Sequence, residues 1–127
     1  PSEPRALGRW GEDFAAHYLQ QHQFRVLYRN FKAPKGGEVD LVCRDCQHST
    51  LVFVEVKTRS SDRFGRPISA VNPKKQRLII RGAMAWLRLL DNPDIPFRFD
   101  VIEVLLTPQP HANRIENAFN LPDGMIY

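Results

Sequence analysis

Apolar and polar positions along this chain repeat with two different periods. Over residues 6–23, Leu7, Trp10, Phe14 and Tyr18 recur every three or four positions, which predicts an amphipathic helix with that stripe as its apolar face. Glu12 falls on another side, shared with Gly8, Ala15 and Leu19, where small residues let a second element come close. A period of two then takes over. Residues 24–31 predict a first strand, and the turn-rich stretch 32–37 ends in two glycines. Residues 38–44 and 51–59 predict two more strands, joined as a hairpin across the polar break Asp45-Cys46-Gln47-His48-Ser49-Thr50. Residues 60–71 read as an exposed loop. Asn72-Pro73 supplies an N-cap and a first-turn proline for a second helix reaching Leu90, with Ile79, Ala83, Trp86 and Leu90 as its apolar face. Residues 97–106 predict another strand. The tail from Thr107, with Pro108, Pro110 and Pro122, predicts irregular structure apart from a short edge strand at 114–119.

The third strand breaks its own pattern. Leu51, Phe53, Glu55 and Lys57 share one face, and Val52, Val54 and Val56 the other, so a carboxylate and an amine stand side by side where apolar residues are expected. Burying either without a partner costs roughly several kcal/mol. Asp40 interrupts the preceding apolar run in the same way. With the hairpin turn centred between Gln47 and His48, Asp40 lies opposite Glu55, at a Cβ separation of about 5 Å. Two carboxylates so placed repel unless a cation lies between them or one is protonated, which is the arrangement a divalent-metal site needs.

Composition narrows the setting. The chain has 127 residues, 43% of them hydrophobic, enough for one domain with its own core, and Pro1 reads as a trimmed or incomplete start. No apolar run approaches the roughly 20 residues of a membrane helix, and no basic-then-apolar secretion pattern opens the chain, so a soluble, cytoplasmic protein with no membrane partner is expected. The net charge is +4, with 13 Arg to 5 Lys, a balance that suits phosphate oxygens. Lys74, Arg77, Arg81 and Arg88 form a basic stripe on the second helix. With Lys75 and the loop residues Arg63 and Arg66 they are candidate nucleic-acid contacts, against the plainer reading of a solvated helix face. Cys43 and Cys46 lack the second pair that a structural zinc site requires and read as reduced thiols flanking a turn.

Glu-x-Lys alone is a weak signal; its context is specific. A carboxylate on one strand, a hairpin, Glu-x-Lys on an apolar strand and a basic helix together resemble the PD-(D/E)xK nuclease superfamily. The similarity is closest to the YraN-like family of predicted endonucleases, related to Holliday junction resolvases. It is carried by Gly11-Glu12, Arg29-Asn30, Gly37-Glu38-Val39-Asp40, Phe53-Val54-Glu55-Val56-Lys57-Thr58-Arg59, Lys74-Lys75 and Phe99-Asp100-Val101. Val39 stands where the superfamily has its naming proline, so the assignment of Asp40 rests on spacing and strand context. The resemblance implies an α/β, restriction-endonuclease-like core, a central mixed β-sheet flanked by helices, as a single nuclease-like domain over residues 1–127. It implies a Mg²⁺- or Mn²⁺-dependent endonuclease that hydrolyses phosphodiester bonds of DNA, with branched DNA among the candidate substrates and a homodimer as the candidate assembly. Asp40 and Glu55 would hold the metal with the Val56 carbonyl, Lys57 would act on the attacking water, and Glu12 would complete the catalytic set from the first helix. Two alternatives stay open: a non-catalytic nucleic-acid-binding module on the same fold, and an RNA-processing nuclease.

Overall fold

The computed structural model describes residues 3–60 and 71–123. In chain order the elements are α1 (Pro4–Gln21), β1 (Phe24–Lys32), β2 (Glu38–Asp45), β3 (Thr50–Arg59), α2 (Pro73–Leu89), β4 (Phe97–Leu105) and β5 (His111–Phe119). The strands form one mixed sheet in the order β1-β2-β3-β4-β5. Neighbours are antiparallel except β3 and β4, whose parallel pairing is what a crossover through α2 requires. The architecture is α/β, consistent with a restriction-endonuclease-like core.

One helix covers each face of the sheet. On one side Phe53, Val42, Phe99 and Val101 pack under Ile79, Ile80, Ala83 and Leu87 of α2. On the other, Val52, Val54, Leu41 and Ile102 pack under Ala15, Ala16 and Leu19 of α1. Coverage on both faces explains why residues 50–55 are buried without alternation. The edge strand β1 is largely exposed.

The helices close on the sheet through glycines. A side chain at Gly82 would meet the Glu38 backbone nitrogen at 2.9 Å, and Gly37, at φ +112, holds a conformation other residues rarely adopt while pressed against Arg81 and Gly82. On the opposite face a Cβ at Gly11 would lie 1.9 Å from Thr58 Oγ1. α1 therefore buries its small-residue side, Gly11, Ala15, Ala16 and Leu19, and not the stripe expected from periodicity. Trp10, Phe14 and Tyr18 are half-buried along its flank. Close backbone approach outweighs aromatic amphipathicity here.

α2 begins as expected, the Asn72 side chain accepting a 2.9 Å hydrogen bond from the Lys75 N–H. Its far end differs, because Leu90 is the C-cap and stands 47% exposed, while Met84 and Leu87 complete the buried face. β5 is longer than the expected 114–119, running His111–Phe119 with the prolines outside it. Cys43 is a buried core thiol and Cys46 is free and exposed at the turn. Among the described residues no helix is long and apolar enough to cross a membrane. Arg63 and Arg66 lie outside the described residues.

Candidate active site

The β2–β3 hairpin sets the geometry. Asp45 pairs with Thr50 and the ladder continues to Leu41 and Val54, so the turn is centred between Gln47 and His48. Asp40 and Glu55 are next in line, where the ladder stops. Here β2 also loses strict alternation, since Val39 and Val42 both belong to the α2-side core while Leu41 and Cys43 belong to the α1 side. The slip turns Asp40 toward β3, where its Oδ2 accepts a 2.9 Å hydrogen bond from the Val56 N–H. Because the N–H and C=O of one strand residue point to the same side, the Val56 carbonyl also faces β2.

Glu55 is 5% exposed. Burial, the Asp40 carboxylate and a side-chain hydrogen bond with Asp40 push its carboxyl up to about 8, against the opposing pull of Lys75 and Lys57. Both the charge of Asp40 and the hydrogen bond between the two carboxyls favour the protonated form of Glu55, which relieves the repulsion of the pair. Lys57 projects from the same face of β3, half-buried, with Nζ 4.0 Å from Glu55 Oε2. Lys75, from the first turn of α2, lies 2.6 Å from Glu38 Oε1 and 3.7 Å from Glu55 Oε2. Burial pulls the Lys75 ammonium down, but Glu38, Glu55 and Asp40 outweigh it and hold it above its ordinary value. Hydrogen bonding to Lys75 in turn lowers Glu38.

From the other face, α1 brings Glu12 into the electrostatic reach of Asp40. Burial and Asp40 raise its carboxyl, against a hydrogen bond from the Asn30 side chain and the charge of Arg29. Asn30 sits at φ +56, a left-handed position that asparagine tolerates, and Arg29 is fixed by a 2.6 Å pair with Asp13.

The structure brings Glu12, Asp40, Glu55, Lys57 and the Val56 backbone near one another at the end of the hairpin ladder. It places Lys75, expected as a nucleic-acid contact, in the carboxylate cluster. It leaves Lys74, Arg77 and Arg81 exposed on α2, free to meet a large ligand. Glu38 was not expected as a site group. Its signal was the Gly37-Glu38 step, which presses β2 against α2 and sets Glu38 beside Lys75.

Among the described residues no three His, Cys, Asp or Glu side chains converge as a closed metal cage. The donor set is two carboxylates in contact plus a backbone carbonyl on the same side. Hard oxygen donors of that number fit Mg²⁺ or Mn²⁺, since Mg²⁺ binds through one or two carboxylates and keeps several waters. A second carboxylate cluster, at the other end of the sheet, is structural: Asp100 is fully buried and held by Arg98 and Arg114 at 3.0 Å each.

The pattern of uncharacterised protein family UPF0102 matches residues 11–104, a span that contains every one of these site residues. A UPF0102 protein of Geobacter sulfurreducens is 49% identical over 119 residues, covering 92% of this chain and 91% of that protein. One from Geobacter metallireducens is 45% identical over 118 residues, covering 92% and 94%. A third, from Syntrophomonas wolfei, is 41% identical over 116 residues, covering 91% and 98%. With the matched span running through both helices and all four site carboxylates, the chain belongs to the UPF0102 family.

Proposed function

We propose that this protein is a metal-dependent endonuclease that hydrolyses phosphodiester bonds of DNA, branched DNA among them. The observation that carries the reading is the meeting of Asp40 and Glu55 at the end of the β2–β3 ladder, with Lys57 on the same face 4.0 Å from Glu55. A buried Glu55 beside a half-buried Asp40 keeps two carboxyls in contact at a cost, and a fold with only a core to build would have apolar residues at these positions. Asp40, Glu55 and the Val56 carbonyl would hold Mg²⁺ or Mn²⁺, which would supply Lewis-acid polarisation of the phosphate and an activated water.

The remaining work falls to side chains of this chain. Lys57, half-exposed at the mouth of the site, orients the attacking water and carries positive charge toward the phosphate. Glu12 holds the opposite wall and adds a carboxylate within reach of Asp40. Lys75 serves as the counter-cation of Glu38 and Glu55. Lys74, Arg77 and Arg81 offer exposed cations to backbone phosphates.

One observation favours a second reading, a nucleic-acid-binding module without catalysis: no closed ligand cage is formed among the described residues. Incubation of linear, flapped and four-way-junction DNAs, and of RNA, with the protein and Mn²⁺ separates the two. Cleavage that chelator abolishes supports the nuclease; binding of the whole panel without cleavage supports the module.

A further inference from the structure

An open groove of about 720 Å³ lies between α2 and the turn that joins β1 to β2. Its floor is apolar, made by Phe31, Ile80, Met84 and Ala85. Its rim carries Lys32, Lys35, Arg81 and Arg88, all exposed, and no acidic residue lines it. Among the described residues Lys35, Arg81 and Arg88 have no ion pair, and Lys32 stands across from Glu38, whose carboxyl is lowered by Lys75 and by the charge of Lys32. Lys75, Arg98 and Arg114, by contrast, are all held by carboxylates. The turn is shaped in advance: the Ala33 N–H donates to the Gly37 carbonyl and the Gly36 N–H to the Ala33 carbonyl, with Gly36 and Gly37 both at positive φ. The Arg81 guanidinium lies over this turn, 3.5 Å from where a Gly36 side chain would begin.

Position connects the groove to the carboxylate cluster. Lys75 stands in that cluster and Arg88 at the groove's far end, thirteen residues on along α2, which is about 20 Å of helix. Beyond the floor, Phe31 and Trp86 meet at 5.3 Å between ring centroids, and Trp86 meets the half-exposed Tyr28 at 5.5 Å, so an aromatic layer continues toward the sheet edge. An apolar floor under a cationic rim suits a polyanion that also has flat apolar faces. A paired duplex hides those faces; an unpaired strand exposes them.

We infer that the groove binds a single-stranded segment of nucleic acid, its bases against the apolar floor and its phosphates on Lys32, Lys35, Arg81 and Arg88. Roughly four nucleotides span the distance from the carboxylate cluster to Arg88, the lower end of the site sizes such grooves use. The inference rests on the nuclease reading in one respect, that the strand leaving the groove enters the site. It would then select DNA with an unpaired arm over blunt duplex.

The test uses fluorescence anisotropy in EDTA, with a labelled oligothymidine and a blunt duplex as probes, on the full chain and on two variants. Leu89→Asp puts a negative charge at the groove wall on a residue 71% exposed, so the fold is not at risk. The second variant is the double replacement K35A/R88A. Oligothymidine affinity should fall about tenfold or more in each, and duplex affinity far less. Failure of the wild type to bind oligothymidine, or equal losses for both probes, overturns the inference. So does conversion of a dimer to a monomer by Leu89→Asp in sedimentation, which would give the groove to a second copy of the chain. Because binding is read without metal, these outcomes do not depend on hydrolysis. Chelator-sensitive cleavage of any DNA of the panel by the wild type with Mn²⁺ tests the nuclease reading separately, and its absence beside intact oligothymidine binding overturns that reading alone.

Discussion

The Asp40 carboxylate takes the place of a strand partner for Val56, accepting its N–H at 2.9 Å where the β2–β3 ladder ends. A side chain here does what a backbone carbonyl does one step earlier, so its oxygens are fixed beside Glu55 without a loop to hold them. The consequence is a preorganised pair of oxygens held together at an electrostatic cost.

That cost predicts metal binding. By calorimetry at pH 8, wild type should bind Mn²⁺, and Asp40→Asn and Glu55→Gln should each weaken it by at least about tenfold, as expected when one of two carboxylate ligands is lost. Equal affinity in all three proteins would remove the site.

The hairpin register behind this prediction was legible from sequence, because a polar break of fixed length between two apolar runs centres the turn between Gln47 and His48. The strands and the Asn72 cap were legible for similar local reasons, whereas the sheet's mixed character came only from the family resemblance. The buried side of α1 was not. Its choice depends on Gly11 coming against Thr58, a tertiary contact that makes small residues better than aromatic ones. The place of Lys75 was hidden too, since it depends on the docking of Gly82 on Glu38, a tertiary contact that sets this side of α2 against the start of β2.

Glu55 also predicts a pH dependence. Its carboxyl is raised to about 8 in the folded chain. The unfolded chain releases this proton near 4.3. Between those values the folded state holds a proton that the unfolded state has lost, so stability falls as pH rises through the window and levels off above it. Urea midpoints at pH 5, 6.5 and 8 should follow that course in wild type without metal, and Glu55→Gln should flatten it. An equally steep decline in the variant would mean that other groups cause it. Mn²⁺ affinity should rise over the same window, with release of about one proton on binding.

Gly82→Ala tests how α2 is placed. The added carbon would lie 2.9 Å from the Glu38 nitrogen, and backbone cannot swing aside as a long side chain can. Overpacking of this kind costs about 1–3 kcal/mol, read as a lower urea midpoint at unchanged slope. A neutral result would mean that the helix rides freely over β2.

The exposed stripe makes a prediction about salt. Neutralising Lys74 and Arg77 together should weaken binding to blunt duplex of any sequence and reduce the slope of log affinity against log salt by roughly two. An unchanged slope would return both residues to a solvated helix surface.

Lys57 and Glu55 share a strand face but have different tasks, and that difference separates catalysis from binding. Lys57 lies 4.0 Å from Glu55 Oε2 and is the more exposed of the two, so it can reach water and phosphate without ligating a cation. Lys57→Ala should therefore abolish Mn²⁺-dependent cleavage, while Mn²⁺ affinity stays near wild type or rises slightly as a neighbouring positive charge is lost. DNA affinity should change less than about threefold, because one cation among many is removed and Lys74, Arg77 and Arg81 remain. Glu55→Gln should lose both metal binding and cleavage. Should Lys57→Ala cleave at the wild-type rate, the lysine would be no more than a counter-charge for Glu55, and the candidate for contact with the attacking water would pass to Lys75, 3.7 Å from the same carboxylate oxygen.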